Sequence, residues 1–107
     1  MNPDLDNDSP LRSFKAELRE RLGDRLRQLV LFGSRARGEF RPDSDYDMLV
    51  IVDRVDRALV HEIDAAVGRA LLDFGVVFSA FPIGEQERAD RKYSPFLMNA
   101  SKEGVAV

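Results

Sequence analysis

The sequence predicts an α/β (α+β) domain in which a small mixed sheet packs against helices. Three observations carry that prediction. Two long segments, 9–22 and 56–74, place apolar residues at spacings of three and four, the period of a helix with one buried face. Three short runs, 29–32 (LVLF), 48–52 (MLVIV) and 76–83 (VVFSAFPI), are continuously apolar or β-rich and are bounded by glycine or aspartate, as buried strands are. Helical and extended segments follow one another along the chain, the pattern of helices layered on a sheet.

The elements follow in order. Residues 1–8 are polar and acidic and read as a flexible tail, so the single domain covers 9–107. Ser9-Pro10 is a helix start, with serine as the cap and proline in the first turn. Leu11, Phe14, Leu18 and Leu22 form the apolar stripe of that helix, Arg and Glu fill its solvated face, and Gly23 ends it. The strand at 29–32 stops at Gly33, and the strand at 48–52 is followed by Asp53 and Asp56, two candidate caps for a second helix. That helix sets Leu59, Ile63, Ala66, Val67, Ala70, Leu71 and Phe74 on one face, and at about 1.5 Å per residue it is long enough to cross a sheet. Gly75 breaks it before the third strand, which ends at Pro82 and Gly84. Residues 85–92 read as a short charged helix. Ser94-Pro95 repeats the start signal before a turn through Phe96, Leu97 and Asn99, and 105–107 can pair as a terminal strand after Gly104.

Composition narrows the function classes. The chain has 107 residues, the length of one domain with one core. A net charge of −3 disfavours general binding to nucleic acid, which usually makes a domain basic. With no cysteine there is no disulfide framework, thiolate metal site or cysteine nucleophile. The N-terminus carries no signal-peptide core, and no apolar run reaches the roughly 20 residues of a membrane span, so a cytoplasmic protein is expected.

The chemistry gathers between residues 31 and 52. Gly33 permits backbone angles and close approach that a side chain would block. Ser34 then opens a helical turn whose free N–H groups and hydroxyl suit phosphate oxygens. Asp45 and Asp47 stand two apart at the head of the second strand, so both carboxylates project to one face. Two like charges so placed call for a cation, and Mg²⁺ is the natural one because it takes carboxylate and phosphate oxygens together. A phosphate turn on one strand end and an acid pair on the next suit a nucleoside triphosphate held through Mg²⁺.

Gly33-Ser34, ten intervening residues, then Asp45-x-Asp47 resembles the signature of the nucleotidyltransferase superfamily that includes DNA polymerase β. The flanking FGSRARG and SDYDMLV, with SPFLMN near the end, look like the minimal nucleotidyltransferases, or MNT proteins. Members of that group are commonly antitoxins of HEPN–MNT pairs, and some transfer AMP from ATP to a tyrosine of the HEPN ribonuclease toxin. The resemblance implies a nucleotidyltransferase fold, Mg²⁺ as cofactor, ATP as substrate and a HEPN-type protein as partner. Residue by residue, it makes Gly33 and Ser34 the phosphate turn and Asp45 and Asp47 the metal-binding acids, and it sets Arg35 and Arg37 in the loop that reaches a triphosphate or a partner.

One departure stands out. Active members usually carry a third acid on a neighbouring strand, where it binds metal and can take the proton of the attacking hydroxyl. Here residues 75–84 contain no carboxylate, and Ser79 stands as the replacement. The readings are therefore transfer supported by two acids, transfer completed by groups of the partner, or an antitoxin that neutralises by binding alone. Transfer of a nucleotide to an RNA end is a further, weaker reading. Small-acceptor nucleotidyltransferases generally hold the acceptor in a second domain, for which 107 residues leave no room; a protein acceptor is expected. His61 reads as a surface residue, Tyr46 as a packing residue on the face opposite the acids, Tyr93 as a loop residue, and Phe78, Phe81 and Phe96 as core or edge packing. An exposed phenylalanine among them would mark a binding surface.

Overall fold

Asp8 starts the fold. Its side chain accepts the backbone N–H of Leu11 at 2.9 Å and so caps helix α1 (Ser9–Leu22), with Pro10 in the first turn. The expected cap, Ser9, is already helical; the carboxylate one residue earlier takes that role, and Asp8 belongs to the domain and not to a tail. The computed structural model describes residues 7–37, 45–90, 94–95, 97–98, 102 and 104–107, so 1–6, Tyr93, Phe96 and Asn99 lie outside the described residues.

After a 3₁₀ turn (Gly23–Arg25), strand β1 (Leu26–Phe32) leads into the one-turn helix α2 (Ser34–Arg37). Among the described residues, strand β2 (Tyr46–Val52), helix α3 (Arg57–Phe74), strand β3 (Phe78–Gly84), helix α4 (Glu85–Asp90) and strand β4 (Val105–Ala106) follow in that order, with helical backbone also at Pro95, Leu97 and Met98 ahead of β4. The sheet runs β3-β2-β1-β4. β1 is antiparallel to both β2 and β4, whereas β2 and β3 are parallel and joined by the α3 crossover. The sheet is therefore mixed, as expected, and the terminal strand pairs Val30 with Ala106 and Leu31 with Val105. β1 begins three residues before the apolar run, because Leu26 and Gln28 still pair with Val52 and Ile51 across a bulge.

Strand alternation divides the core. On one face, Leu29, Leu31, Tyr46, Met48, Val50, Val52 and Phe78 pack beneath α1 and α3, which contribute Leu11, Phe14, Leu18 and Leu22 and then Leu59, Ile63, Ala66 and Ala70. On the other face, Val30, Leu49, Ile51, Ile83 and Leu97 form a second, smaller cluster. Two residues expected on the buried stripe of α3 are exposed: Leu71 and Phe74 are 53% and 40% accessible. At 3.6 residues per turn Leu71 sits about 100° from the centre of the stripe, and Phe74 is the last residue of the helix.

Asp56 caps α3 by accepting the N–H of Leu59 at 2.8 Å. Asp53, the other candidate, instead receives Nε of Arg25 at 3.0 Å and the N–H of Arg54, while Nη2 of Arg25 reaches Asp56 at 3.0 Å. These contacts tie the 3₁₀ turn to the β2–α3 connection. The Leu59 N–H and then Arg25 hold the Asp56 carboxyl below the ordinary range; burial opposes the shift at Asp53, but Arg54 N–H and Arg25 outweigh it.

Candidate functional site

The first half of the site is the turn after β1. Gly33 has φ 77°, in the left-handed region that glycine occupies without strain. Its Cα faces the Asp47 carboxylate so closely that a Cβ there would collide with Oδ2. Gly33 is thus required twice, once for the backbone angle and once for the approach. Ser34 is the first residue of α2 and Arg37 the last, so the chain turns helical directly behind the glycine.

The second half is the head of β2. Asp47 pairs with Phe32 of β1 and with Ser79 of β3, so these three residues form one row across three strands. Asp45 lies just before the strand and is exposed, while Tyr46 follows it with an N–H bond to the carbonyl of Val77 at 3.0 Å. Gly33, Asp47 and Ser79 are brought together at the face opposite α1 and α3. The parallel register puts Ser79 on the strand beside Asp47, and no carboxylate replaces it on β3.

The donors suit one kind of metal. Among the described residues, no group of three or more His, Cys, Asp or Glu converges as a cage. The acids at this end of β2 are Asp45, which is exposed, and Asp47, which is partly buried, and both carry hard carboxylate oxygens. That set fits Mg²⁺, which binds through one or two carboxylates and completes its shell with water and substrate phosphates.

Arg35 takes a place that its sequence position did not indicate. Only 5% exposed, it lies with its guanidinium 3.9 Å from the centroid of the Tyr46 ring and 4.0 Å from Oδ2 of Asp8. It therefore sits on the helix-covered face, behind the acids, and not among them. Tyr46 is 2% exposed and stacks on Phe78 at 4.4 Å, which in turn stacks on Phe14 at 4.0 Å. Its hydroxyl donates to the Asp8 carboxylate, with oxygens at 2.7 and 2.8 Å. Burial, then the bond to Asp8, pushes the Tyr46 phenol well above its ordinary range.

Sequence reading assigned Tyr46 to packing but missed Asp8. The signal was present: an acid immediately before Ser-Pro competes with the serine for the cap.

Residues 11–97 match the family model described as the nucleotidyltransferase domain. The chain belongs to that family. The resemblance carried by Gly33-Ser34 and Asp45-x-Asp47 is thus borne out, and the mixed sheet with its helices is the nucleotidyltransferase fold. A Methanocaldococcus jannaschii relative, whose name as a protein adenylyltransferase is provisional, is 32% identical over 101 residues, covering 94% of this chain and 96% of its own. The protein adenylyltransferase MntA of Thermococcus cleftensis is 44% identical over 52 residues, about half of each chain. In structure, the nucleotidyltransferase domain aligns with a toxin–antitoxin crystal structure containing AMP-PNP at a TM-score of 0.59, with 19% identity over 87% of this chain and 68% of the other. A mutant of the toxin–antitoxin MntA–HpeT aligns at 0.56, with 14% identity over 86% and 68%. Among the described residues, no helix is long and apolar enough to cross a membrane.

Proposed function

We propose that this nucleotidyltransferase domain is a cytoplasmic antitoxin that transfers AMP from ATP to a tyrosine of a HEPN-type ribonuclease toxin. The observation that carries the reading is the contact between halves of the site: Gly33, at the head of the phosphate turn, lies directly against the Asp47 carboxylate. Triphosphate oxygens at the turn and a metal on the acids would then share one small volume. The names of the two relatives, both protein adenylyltransferases, support the reaction type, and the toxin–antitoxin neighbours support the partner class.

In the proposed reaction the phenolic oxygen of the acceptor tyrosine attacks the α-phosphorus of ATP. A new P–O bond forms, the α–β bridge breaks, pyrophosphate leaves, and the phenol proton passes to solvent or to a base of the partner. Mg²⁺, when bound, neutralises charge on the phosphates. Asp45 and Asp47 hold it, and Gly33 and Ser34 receive phosphate oxygens through backbone N–H groups. A serine hydroxyl such as that of Ser79 is a poor base, so the residues of this chain position and stabilise more than they move protons.

Incubation with labelled ATP, Mg²⁺ and the HEPN-type protein encoded beside it should label that protein, and Asp45→Asn or Asp47→Asn should abolish the label. Absence of label with the unmodified chain would refute transfer. The missing β3 carboxylate favours a second reading, neutralisation by contact alone. Under that reading the Asp45→Asn, Asp47→Asn double variant still protects cells from the toxin; under the first it does not.

A further inference from the structure

The row that contains the acids continues into an aromatic and apolar surface. Residues two apart on a strand share a face, so Leu49 and Ile51 lie on the Asp47 side of β2, and Phe81 and Ile83 lie on the Ser79 side of β3. Phe32, the β1 partner of Asp47, and Phe81 reach toward each other across β2. Their ring centroids are 5.9 Å apart with planes tilted by 43°. Phe32 stands directly opposite Asp47, and Phe81 stands opposite Leu49, two residues further along β2. Phe81 keeps 42% of its surface exposed. Behind it opens a cleft of about 530 Å³, floored by Leu49, Ile83 and Leu97 and flanked by Pro82 and Pro95.

Here the exposed ring adjoins a site built for phosphates and a hydrated cation, the chemical opposite of an apolar wall. A ligand that uses both surfaces must carry anionic and flat apolar ends within a few ångströms, and a nucleotide does. The cleft volume lies within the range of small-molecule sites, whose walls are mostly apolar, and an aromatic face accepts any base by stacking.

We propose that Phe81, supported by Phe32 and the Leu49–Ile83–Leu97 floor, is the platform on which the nucleobase of the bound triphosphate stacks. The inference rests on the nucleotide reading above and extends it, because nothing in the phosphate turn or the acid pair distinguishes a nucleotide from a bare polyphosphate. Phe81 then supplies the preference for a nucleotide and, through the cleft behind it, the discrimination between bases.

The test uses the full chain with two Mg²⁺-loaded probes, ATP and inorganic tripolyphosphate. The protein has no tryptophan, so Phe81→Trp introduces a single indole reporter at the platform. MgATP should quench its emission and Mg-tripolyphosphate should not. In calorimetric titrations, Phe81→Leu, which keeps an apolar side chain but loses the ring, should weaken MgATP binding about tenfold, the scale of one base-stacking contact, and leave tripolyphosphate binding unchanged. If Phe81→Leu weakens both probes equally, or neither, while the unmodified chain binds MgATP, the platform is refuted and the nucleotide reading stands. Quenching by the protein partner but not by MgATP would assign the ring to the acceptor and overturn the inference. Failure of the unmodified chain to bind either probe would bring down both readings.

Discussion

Gly33→Ala should separate the two demands placed on that glycine, with Gly75→Ala as its control. Both glycines have left-handed backbones, with φ of 77° and 67°. A Cβ on Gly75 would meet nothing within 4 Å, whereas a Cβ on Gly33 would strike the Asp47 carboxylate. The left-handed conformation costs an alanine about 1–2 kcal/mol, offset by about 0.4–1 kcal/mol from a stiffer unfolded chain. Gly75→Ala should therefore lose about 1 kcal/mol. Gly33→Ala bears the same backbone cost and also drives the Asp47 side chain from its position, which adds about 0.5–1.5 kcal/mol of off-rotamer strain. At about 4–8 °C per kcal/mol for a domain near this size, calorimetry should show melting temperatures lower by roughly 5 °C and 10 °C. MgATP affinity should fall at least about tenfold in Gly33→Ala, one displaced charge-assisted contact being worth about 1.5–3 kcal/mol, and stay unchanged in Gly75→Ala. Equal destabilisation of the two variants, with MgATP affinity retained in both, would refute the idea that Gly33 is held against Asp47.

Two further predictions follow from the face behind the site and one from the site itself. Tyr46→Phe removes a hydroxyl bonded to a carboxylate and should cost about 1–2 kcal/mol in urea unfolding; Asp8→Ala should cost more, since it also removes a cap worth about 1 kcal/mol, and a double-mutant cycle should show coupling of at least about 1 kcal/mol. Because the Tyr46 pKa is raised on folding, the folded state keeps a proton that the unfolded state sheds above pH 10, so stability should hold below pH 10 and fall as pH rises beyond it. In a Tyr93→Phe background, which leaves Tyr46 as the single tyrosine, phenolate absorbance should appear together with loss of helical circular dichroism. Ser79→Asp places a third carboxylate beside Asp47, so without Mg²⁺ it should melt below the wild type, and Mg²⁺ should raise its melting temperature more than that of the wild type.

The fold was largely legible because its elements carry strong periodic signals. Leu11, Phe14, Leu18 and Leu22, spaced for one helical face, are all buried, and the run 48–52 is buried residue for residue. The ends were harder. Leu71 and Phe74 continue the apolar composition of α3 but lie off its stripe or at its last residue, a distinction that depends on where the sheet stops. In the site, the sequence singled out Gly33, Asp45 and Asp47 as candidates through their combined motif and its resemblance to a family, and parallel pairing sets Ser79 beside Asp47. The inward course of Arg35 was not legible. Its partners Tyr46 and Asp8 are 11 and 27 positions away, and a basic residue beside a phosphate turn looks the same in sequence whichever face it takes.

The bond from Tyr46 to Asp8 has a practical consequence for anyone who trims this protein. Family similarity spans 11–97, a natural guide for cutting a minimal domain. Such a cut keeps Gly33, Ser34, Asp45, Asp47 and Ser79 but removes Asp8, which takes away the helix cap and leaves the buried Tyr46 phenol without its carboxylate partner. At the other end it deletes Val105 and Ala106, leaving the outer edge of β1 with unpaired backbone groups, an invitation to aggregate. A stable domain should therefore extend beyond 11–97 at both ends.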